Sequence, residues 1–356
     1  MAKLFMKGNE ALGEAAIRAG IRFFSGYPIT PQSELPEYLS WRLPEVGGVF
    51  IQAESEVAAI NMVYGAACTG VRAMTGSSSP GISLKSEGIS YLSSAELPAV
   101  IVNMQRGGPG LGSIQPAQMD YLQATKASGH GGFRMIVFAP GTIQEAVDLM
   151  YVAPEYAERD RNPVLILMDG CLGTMMEELE LPPMKELPES PCKPWTVGND
   201  GTVRNGHLIT PIYPEPGLEG KNKLAAARTK RWEENDVRVE EFLVADAEWV
   251  IVAYGISARV AKQAVLDLRA KGVKLGLIRP ITLFPFPKKA IADLDYSIVK
   301  GLIDIEMAIP AQMREDIELQ VLGRAPVFEY GRSGGVLLDD ESTQAAIMKI
   351  IQGGDR

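Results

Sequence analysis

The sequence predicts an α/β protein: a doubly wound parallel-sheet domain, a long irregular segment, and a smaller second α/β domain. Three observations predict this. Short apolar runs alternate with helix-patterned stretches, and runs such as PAVIVNMQ and PVLILMDG are apolar throughout instead of alternating. That pattern belongs to parallel strands covered by helices on both faces. The alternation breaks off near Met184 and resumes at AEWVIVAYG, which puts the divisions at residues 1–184, 185–243 and 244–356. A chain of 356 residues, 46% hydrophobic, is long enough to bury two cores.

Each element follows from its local pattern. GNEALGEAAIRAG carries apolar positions at helical spacing, IRFFSG reads as a strand, and Pro31 to Trp41 reads as a helix. GGVFIQ, VRAMTGSSS and PAVIVNMQ are strands; ESEVAAINMVYGAACTG and LKSEGISYLSSAE are the helices between them. After a glycine-rich loop come strand MIVFAP, a helix near IQEAVDLMYVAPEYAERD, and strand PVLILMDG. The segment containing LPPMKELPESPCKP and YPEPGLEGKNKL is rich in proline, glycine and charge, and reads as an arm. The second block runs through strand AEWVIVAYG, helix ARVAKQAVLDLRAKG, strand VKLGLIRP, helix PFPKKAIADL, and strands SIVKGLIDIE and APVFEY. There is no tandem repeat.

Composition excludes several function classes. A net charge of −9 without a long basic run argues against nucleic acid or an anionic membrane as partner. No run of eighteen apolar residues occurs and the first residues lack a signal or transit pattern, so the expected location is the cytoplasm. Cys68, Cys171 and Cys192 form no C-x-x-C pair, and His130 and His207 are the two histidines. Neither a metal site nor a cluster site is expected on this chain.

Ligands of open parallel sheets bind at the carboxyl ends of strands, and unusual segments fall there. In GYPITP, two prolines bracket Thr30; Tyr27 to Pro31 is expected to be stiff and extended, with Thr30 capping the next helix and Pro31 its first residue. The same rigid loop holds a hydroxyl ready for a ligand. In IQAESEVAA, Glu54 and Glu56 stand where a strand meets a nearly uncharged helix. Acidic residues favour a first helical turn, but a carboxylate beside so apolar a helix also sits in low dielectric, where it attracts a proton or a hydrogen-bonding base. Arg106, in NMQRGGPGLG, is a fixed cation beside glycines, either a structural ion pair or an anion holder. Gly108, Gly110 and Gly112 lack the following helix that a dinucleotide loop needs. Ser77, Ser78 and Ser79 end a further strand and either satisfy the turn or line a pocket.

Together, GYPITPQSE, ESEVAAINMVYGAA, TGSSSPG, NMQRGGPGLG and IRPITLFPFP resemble the α-type subunit of 2-oxoacid:ferredoxin oxidoreductases over nearly the whole chain. GGPGLGSIQPAQMDY is most similar to the branched-chain type, which acts on 3-methyl-2-oxobutanoate. The resemblance implies a pyrimidine-type thiamine diphosphate domain followed by a transketolase C-terminal-like domain. It implies that Glu56 hydrogen-bonds the aminopyrimidine, that Thr30 and Arg106 contact the 2-oxoacid, and that Pro28, Ile29, Ser78 and Ser79 join Glu56 around the cofactor. The activity implied is oxidative decarboxylation to an acyl-CoA with electrons passed to ferredoxin. The chain has no G-D-G motif and no cysteine set. Mg2+ and [4Fe-4S] clusters are therefore expected on partners: a diphosphate-binding β subunit, a ferredoxin-like subunit and a γ-type subunit. The alternatives are 2-oxoglutarate or pyruvate as substrate, a non-catalytic structural or regulatory subunit of the same fold, and a nucleotide-dependent enzyme using GGPGLG.

Overall fold

The structure is a computed structural model and describes residues 3–126, 128–188, 193–197 and 217–353; Cys192 and His207 lie outside them. The first part alternates as β1 (Leu4–Lys7), α1 (Gly8–Arg18), β2 (Phe23–Gly26), α2 (Glu34–Glu45), β3 (Val49–Gln52), α3 (Glu56–Cys68), β4 (Ala73–Ser77), α4 (Ser79–Ser94) and β5 (Val100–Gly107). It continues with β6 (Ser113–Pro116), α5 (Tyr121–Thr125), β7 (Ile136–Phe138), α6 (Ile143–Asp160), β8 (Val164–Asp169), α7 (Gly170–Thr174) and β9 (Met176–Leu179). The second part holds α8 (Gly217–Asn235), β10 (Val239–Phe242), β11 (Trp249–Val252), α9 (Gly255–Ala270), β12 (Leu275–Pro280) and β13 (Thr282–Phe284). It ends with α10 (Lys288–Ala292), β14 (Gly301–Glu306), α11 (Arg314–Val321), β15 (Val327–Gly331) and α12 (Asp340–Ile351).

The larger sheet has the order β13-β7-β8-β5-β4-β2-β3, with β6 folded back on β5. Its strands from β7 to β3 run parallel. Every residue of β5 and β8 is buried, as continuous apolar strands covered on both faces require. The smaller sheet has the order β10-β12-β11-β14-β15, parallel except at β10. β1 and β9 form a separate antiparallel pair. Among the described residues no helix is long and apolar enough to cross a membrane.

Three local expectations are corrected. The helix after the double proline starts at Glu34, not Pro31, because Gln32 N–H closes a turn on the Ile29 carbonyl at 2.9 Å. Thr30 is therefore not its cap; Ser33 precedes the helix and makes no side-chain cap bond. Helix α3, whose nearly uncharged body VAAINMVYGAA predicts deep packing, is packed on one side only, leaving Val57, Asn61 and Gly65 exposed at four-residue spacing. The stretch read as an irregular arm contains α8, which is polar almost all round and buries Trp232 alone. That indole donates to the Asp160 carboxylate at the end of α6, at 2.7 Å, and Arg228 and Arg231 bond to Asp160 and Asn162 beside it, so polar contacts fasten the helix where an apolar stripe is missing.

The two sheets are locked together through Gln118. Its amide nitrogen donates to the Tyr254 carbonyl at 2.9 Å, while its side-chain oxygen accepts from Met307 N–H at 3.0 Å and from the Ser257 hydroxyl. Its own backbone N–H donates to the Met307 carbonyl at 2.9 Å. From the other side β13 leaves the second block to pair antiparallel with β7. Because Gln118 is fully buried, Gln118→Ala strands the Met307 N–H and the Ser257 hydroxyl and leaves the Tyr254 carbonyl with only the Ala258 N–H. The expected loss is about 3 kcal/mol of stability, read as a lower denaturation midpoint with an unchanged slope.

Candidate active site

Four neighbouring parallel strands, β5, β4, β2 and β3, end along one edge of the large sheet. The chain leaves β2 for β3 on one side and β4 for β5 on the other, so the edge between β2 and β4 is a topological switch point. Thr30 follows β2, Glu56 follows β3, Ser77 to Ser79 end β4, and Arg106 lies near the end of β5. Topology alone thus brings together residues up to seventy-six positions apart.

Ser55 caps α3, its hydroxyl accepting from Ala58 N–H at 3.2 Å, and this sets Glu56 as the first helical residue. Glu54 points to solvent, whereas Glu56 is only 7% exposed. The carboxylate lies against Gly81 in the first turn of α4. A β-carbon on Gly81 would stand 2.9 Å from Glu56 Oε1 and 2.1 Å from Ser77 Oγ, so only a glycine leaves that corner open. Among the described residues the buried hydroxyls of Ser77 and Ser78 have no hydrogen-bond partner, and neither has the buried side-chain amide of Gln32. Native interiors seldom leave such atoms unpaired, and a polar ligand at this edge would pair them. These donors, acceptors and the glycine-cleared space fit a polar heteroaromatic cofactor beside Glu56.

Arg106 forms the second half of the site. One terminal nitrogen donates to the Thr30 carbonyl at 2.9 Å and the other to the Leu111 carbonyl at 2.8 Å, while the buried Nε has no partner. The side chain is 4% exposed, and among the described residues it forms no direct ion pair, Asp120 acting on it at longer range. Ser79 fixes its backbone, accepting from Arg106 N–H at 3.0 Å and donating to Asp120 at 2.6 Å. Burial pushes the Asp120 carboxyl up, and its bonds to Ser79 and Asn103 and the nearby Arg106 charge pull it back.

Of the expected residues, the fold joins Thr30 directly to Arg106 and places Glu56 beside Ser77, with Ser77 to Ser79 bridging the two groups. Pro28 and Thr30 are exposed and Ile29 half-buried, as an open wall of the site. Ser79 is committed to Asp120 and Arg106, so it is a positioning residue and not a free ligand contact. The glycines after Arg106 build a hairpin: a β-carbon at Gly112 would meet the Gly107 carbonyl oxygen at 1.6 Å, and β6 follows instead of a helix. That geometry lacks the helix N-terminus a nucleotide loop uses. His130 lines a separate cavity of about 440 Å3 with Lys221 and Arg228. Among the described residues no group of three His, Cys, Asp or Glu side chains is set to hold a metal ion. Sequence reasoning missed Gln32, Asn103, Asp120 and Lys85, which matter through contacts that only the packed helices create.

Residues 14–227 match the thiamine-diphosphate-binding family of pyruvate flavodoxin/ferredoxin oxidoreductases, and residues 247–342 match core domain II of pyruvate:ferredoxin oxidoreductase. The chain belongs to the 2-oxoacid:ferredoxin oxidoreductase family. It is 50% identical to the ketoisovalerate oxidoreductase subunit VorB of Methanothermobacter thermautotrophicus, covering 95% of each chain. It is 35% identical to the 2-oxoglutarate synthase subunit KorA of Methanocaldococcus jannaschii, covering 97% of this chain and 99% of that one. The solved 2-oxoglutarate:ferredoxin oxidoreductase of Magnetococcus marinus superposes with a TM-score of 0.83 at 26% identity, over 98% of this chain and 65% of that chain. A split-gene transketolase shares the fold at a TM-score of 0.59 and 14% identity.

Gly81→Ala tests the corner directly. The added carbon displaces the Glu56 and Ser77 side chains, so thiamine diphosphate affinity of the assembled enzyme is expected to fall at least about tenfold, with a stability change within about 3 kcal/mol. Calorimetric titration and thermal melts read the two effects separately.

Proposed function

We propose that this chain is the catalytic α-type subunit of a CoA-acylating 2-oxoacid:ferredoxin oxidoreductase whose substrate is 3-methyl-2-oxobutanoate. The observation that carries the reading is Arg106, a buried guanidinium with an unpartnered N–H that forms no direct ion pair among the described residues, Asp120 acting on it only at longer range. A buried charge without a direct ion-pair partner is stabilised further by an arriving counter-ion, and the planar arginine fork suits a planar carboxylate. The 50% identity to a ketoisovalerate oxidoreductase subunit, against 35% to a 2-oxoglutarate synthase subunit, supports the branched substrate over 2-oxoglutarate.

In this reading Glu56 holds a proton against the ring nitrogen of the aminopyrimidine, with Pro28, Ile29 and Ser78 around the cofactor. Thiamine diphosphate, when bound, supplies the electron sink for loss of carbon dioxide. Arg106 orients the substrate carboxylate, and the Thr30 hydroxyl reaches the same substrate from the exposed side of the loop. Ser79 keeps Arg106 in register. The hairpin of β5 and β6, whose Leu111 carbonyl already grips Arg106, covers the site and keeps water away.

The rest of the machinery lies on partners. A β subunit supplies the diphosphate and Mg2+ contacts, a ferredoxin-like subunit carries [4Fe-4S] clusters, and a γ-type subunit completes a cytoplasmic complex. Coenzyme A takes the acyl group and ferredoxin the electrons. The exposed Val57 of α3 and Leu84 and Tyr91 of α4 flank the head of the Glu56 helix and suit the β-subunit contact. The chain then divides into a pyrimidine-binding domain over 1–184, an arm over 185–243 and a transketolase C-terminal-like domain over 244–356.

The test is CoA-dependent dye reduction by the assembled complex across a panel of 2-oxoacids. The highest kcat/KM is expected for 3-methyl-2-oxobutanoate; a clear preference for 2-oxoglutarate or pyruvate overturns the substrate. Glu56→Ala is expected to lower kcat by roughly 10²-fold or more. Arg106→Met should raise KM for the 2-oxoacid by roughly 10²-fold. Unchanged turnover in both variants would instead mark a non-catalytic subunit.

A further inference from the structure

Helix α4 carries a fully buried lysine that the chemistry above does not use. Lys85 is 0% exposed and lies four residues after Gly81, on the face of α4 that meets α3. The facing glycines show how close that contact is: a β-carbon at Gly81 would meet Glu56, and one at Gly88 would meet Ile60 at 2.5 Å. Lys85 therefore sits between the two, level with the first turns of α3. Its ammonium donates to the Thr75 hydroxyl at 2.6 Å and to the Gly76 carbonyl at 3.0 Å. Both groups are neutral and both belong to β4, so they fasten the ammonium without cancelling its charge. Glu56 is the charged group among the described residues that acts on it, without forming a direct ion pair.

A lysine buried this completely is unusual unless another charge compensates it. We propose that Lys85 is a positioning residue: packed level with the first turns of α3, its buried ammonium is the internal counter-charge to the Glu56 carboxylate before the cofactor's ring nitrogen arrives. The proposal rests on the reading of Glu56 given above. The facing groups are few: Glu56 from α3, and from β4 only the uncharged Thr75 and Gly76. Burial lowers the Lys85 ammonium to about 7, against the opposing pull of Glu56. Below that pH the lysine is charged and favours the carboxylate; above it the lysine is neutral and the support is withdrawn. A hydrogen bond from Glu56 to a ring nitrogen needs one proton, and an ionised Glu56 has to take it from solvent.

Two readouts on the assembled complex test this. In the cofactor-free complex, infrared titration follows the carboxylic-acid band that Glu56→Gln removes. Lys85→Met should raise the proton affinity of Glu56 at least about tenfold. Calorimetry of thiamine diphosphate binding in buffers of different ionisation heat counts the protons taken up. Near pH 8, where Lys85 is largely neutral whether or not Glu56 carries a proton, the native complex should take up close to one proton and Glu56→Gln none. Should Lys85→Met fail to assemble, the reciprocal shift remains measurable. Glu56→Gln should lower the proton affinity of Lys85 at least about tenfold, read by nitrogen-15 NMR of lysine-labelled complex. An unshifted Glu56 midpoint in Lys85→Met, or an unshifted Lys85 in Glu56→Gln, overturns the proposal and leaves Lys85 as a fastener between α4 and β4. Proton uptake that Glu56→Gln leaves intact overturns instead the placing of Glu56 at the ring nitrogen.

Discussion

Arg106 is buried at the end of a central strand without a direct ion pair among the described residues, and much of the site's construction follows from that. Removing a guanidinium from water is costly, and hydrogen bonds to neutral carbonyls recover only part of the loss. The fold keeps it there by tying it to three separate pieces of chain. The turn at Thr30 accepts one bond, the hairpin tip at Leu111 another, and Ser79 holds the backbone. Behind Ser79, Asp120 receives bonds from Ser79 and Asn103, and its backbone N–H donates to Gln105. The same short segment continues into Gln118, the joint between the two sheets. Charge placement at the site and the packing of the sheets thus share one strand-end network.

The second buried charge, Glu56, faces the opposite flank of the switch point. It is reached through the capped first turn of α3 and the space that Gly81 leaves open. Between the two charges lie polar atoms with no partners, on Ser77, Ser78 and Gln32. A site with one acid, one cation and unpaired hydroxyls between them is set to bind, orient and move a proton.

Much of this was legible in the sequence because its causes are local or topological. Apolar strands such as VLILMD announce a parallel sheet, and a parallel sheet puts ligands at strand ends; Thr30, Glu56 and Arg106 could be placed there without coordinates. What the sequence hid depends on packing. Helix α8 has no apolar stripe, since Trp232, Arg228 and Arg231 dock it onto Asp160. The helix after Pro31 starts three residues late because a turn closes on Ile29 first. Lys85 looks like an ordinary helical lysine until α3 and α4 meet. The missing counter-ion of Arg106 was equally invisible, because Asp120, near in sequence, is engaged by Ser79 and Asn103.

The central claim is that one wall of a shared thiamine diphosphate site is built here, with Glu56 on the cofactor ring and Arg106 on the substrate. A structure of the assembled complex with thiamine diphosphate and a 2-oxoacid measures it most directly. The account predicts Glu56 at hydrogen-bond distance, about 3 Å, from the aminopyrimidine ring nitrogen, and the Arg106 guanidinium at a similar distance from the substrate carboxylate. A cofactor ring seated away from Glu56, or a substrate carboxylate held by other residues while Arg106 keeps only its two carbonyl bonds, would contradict it.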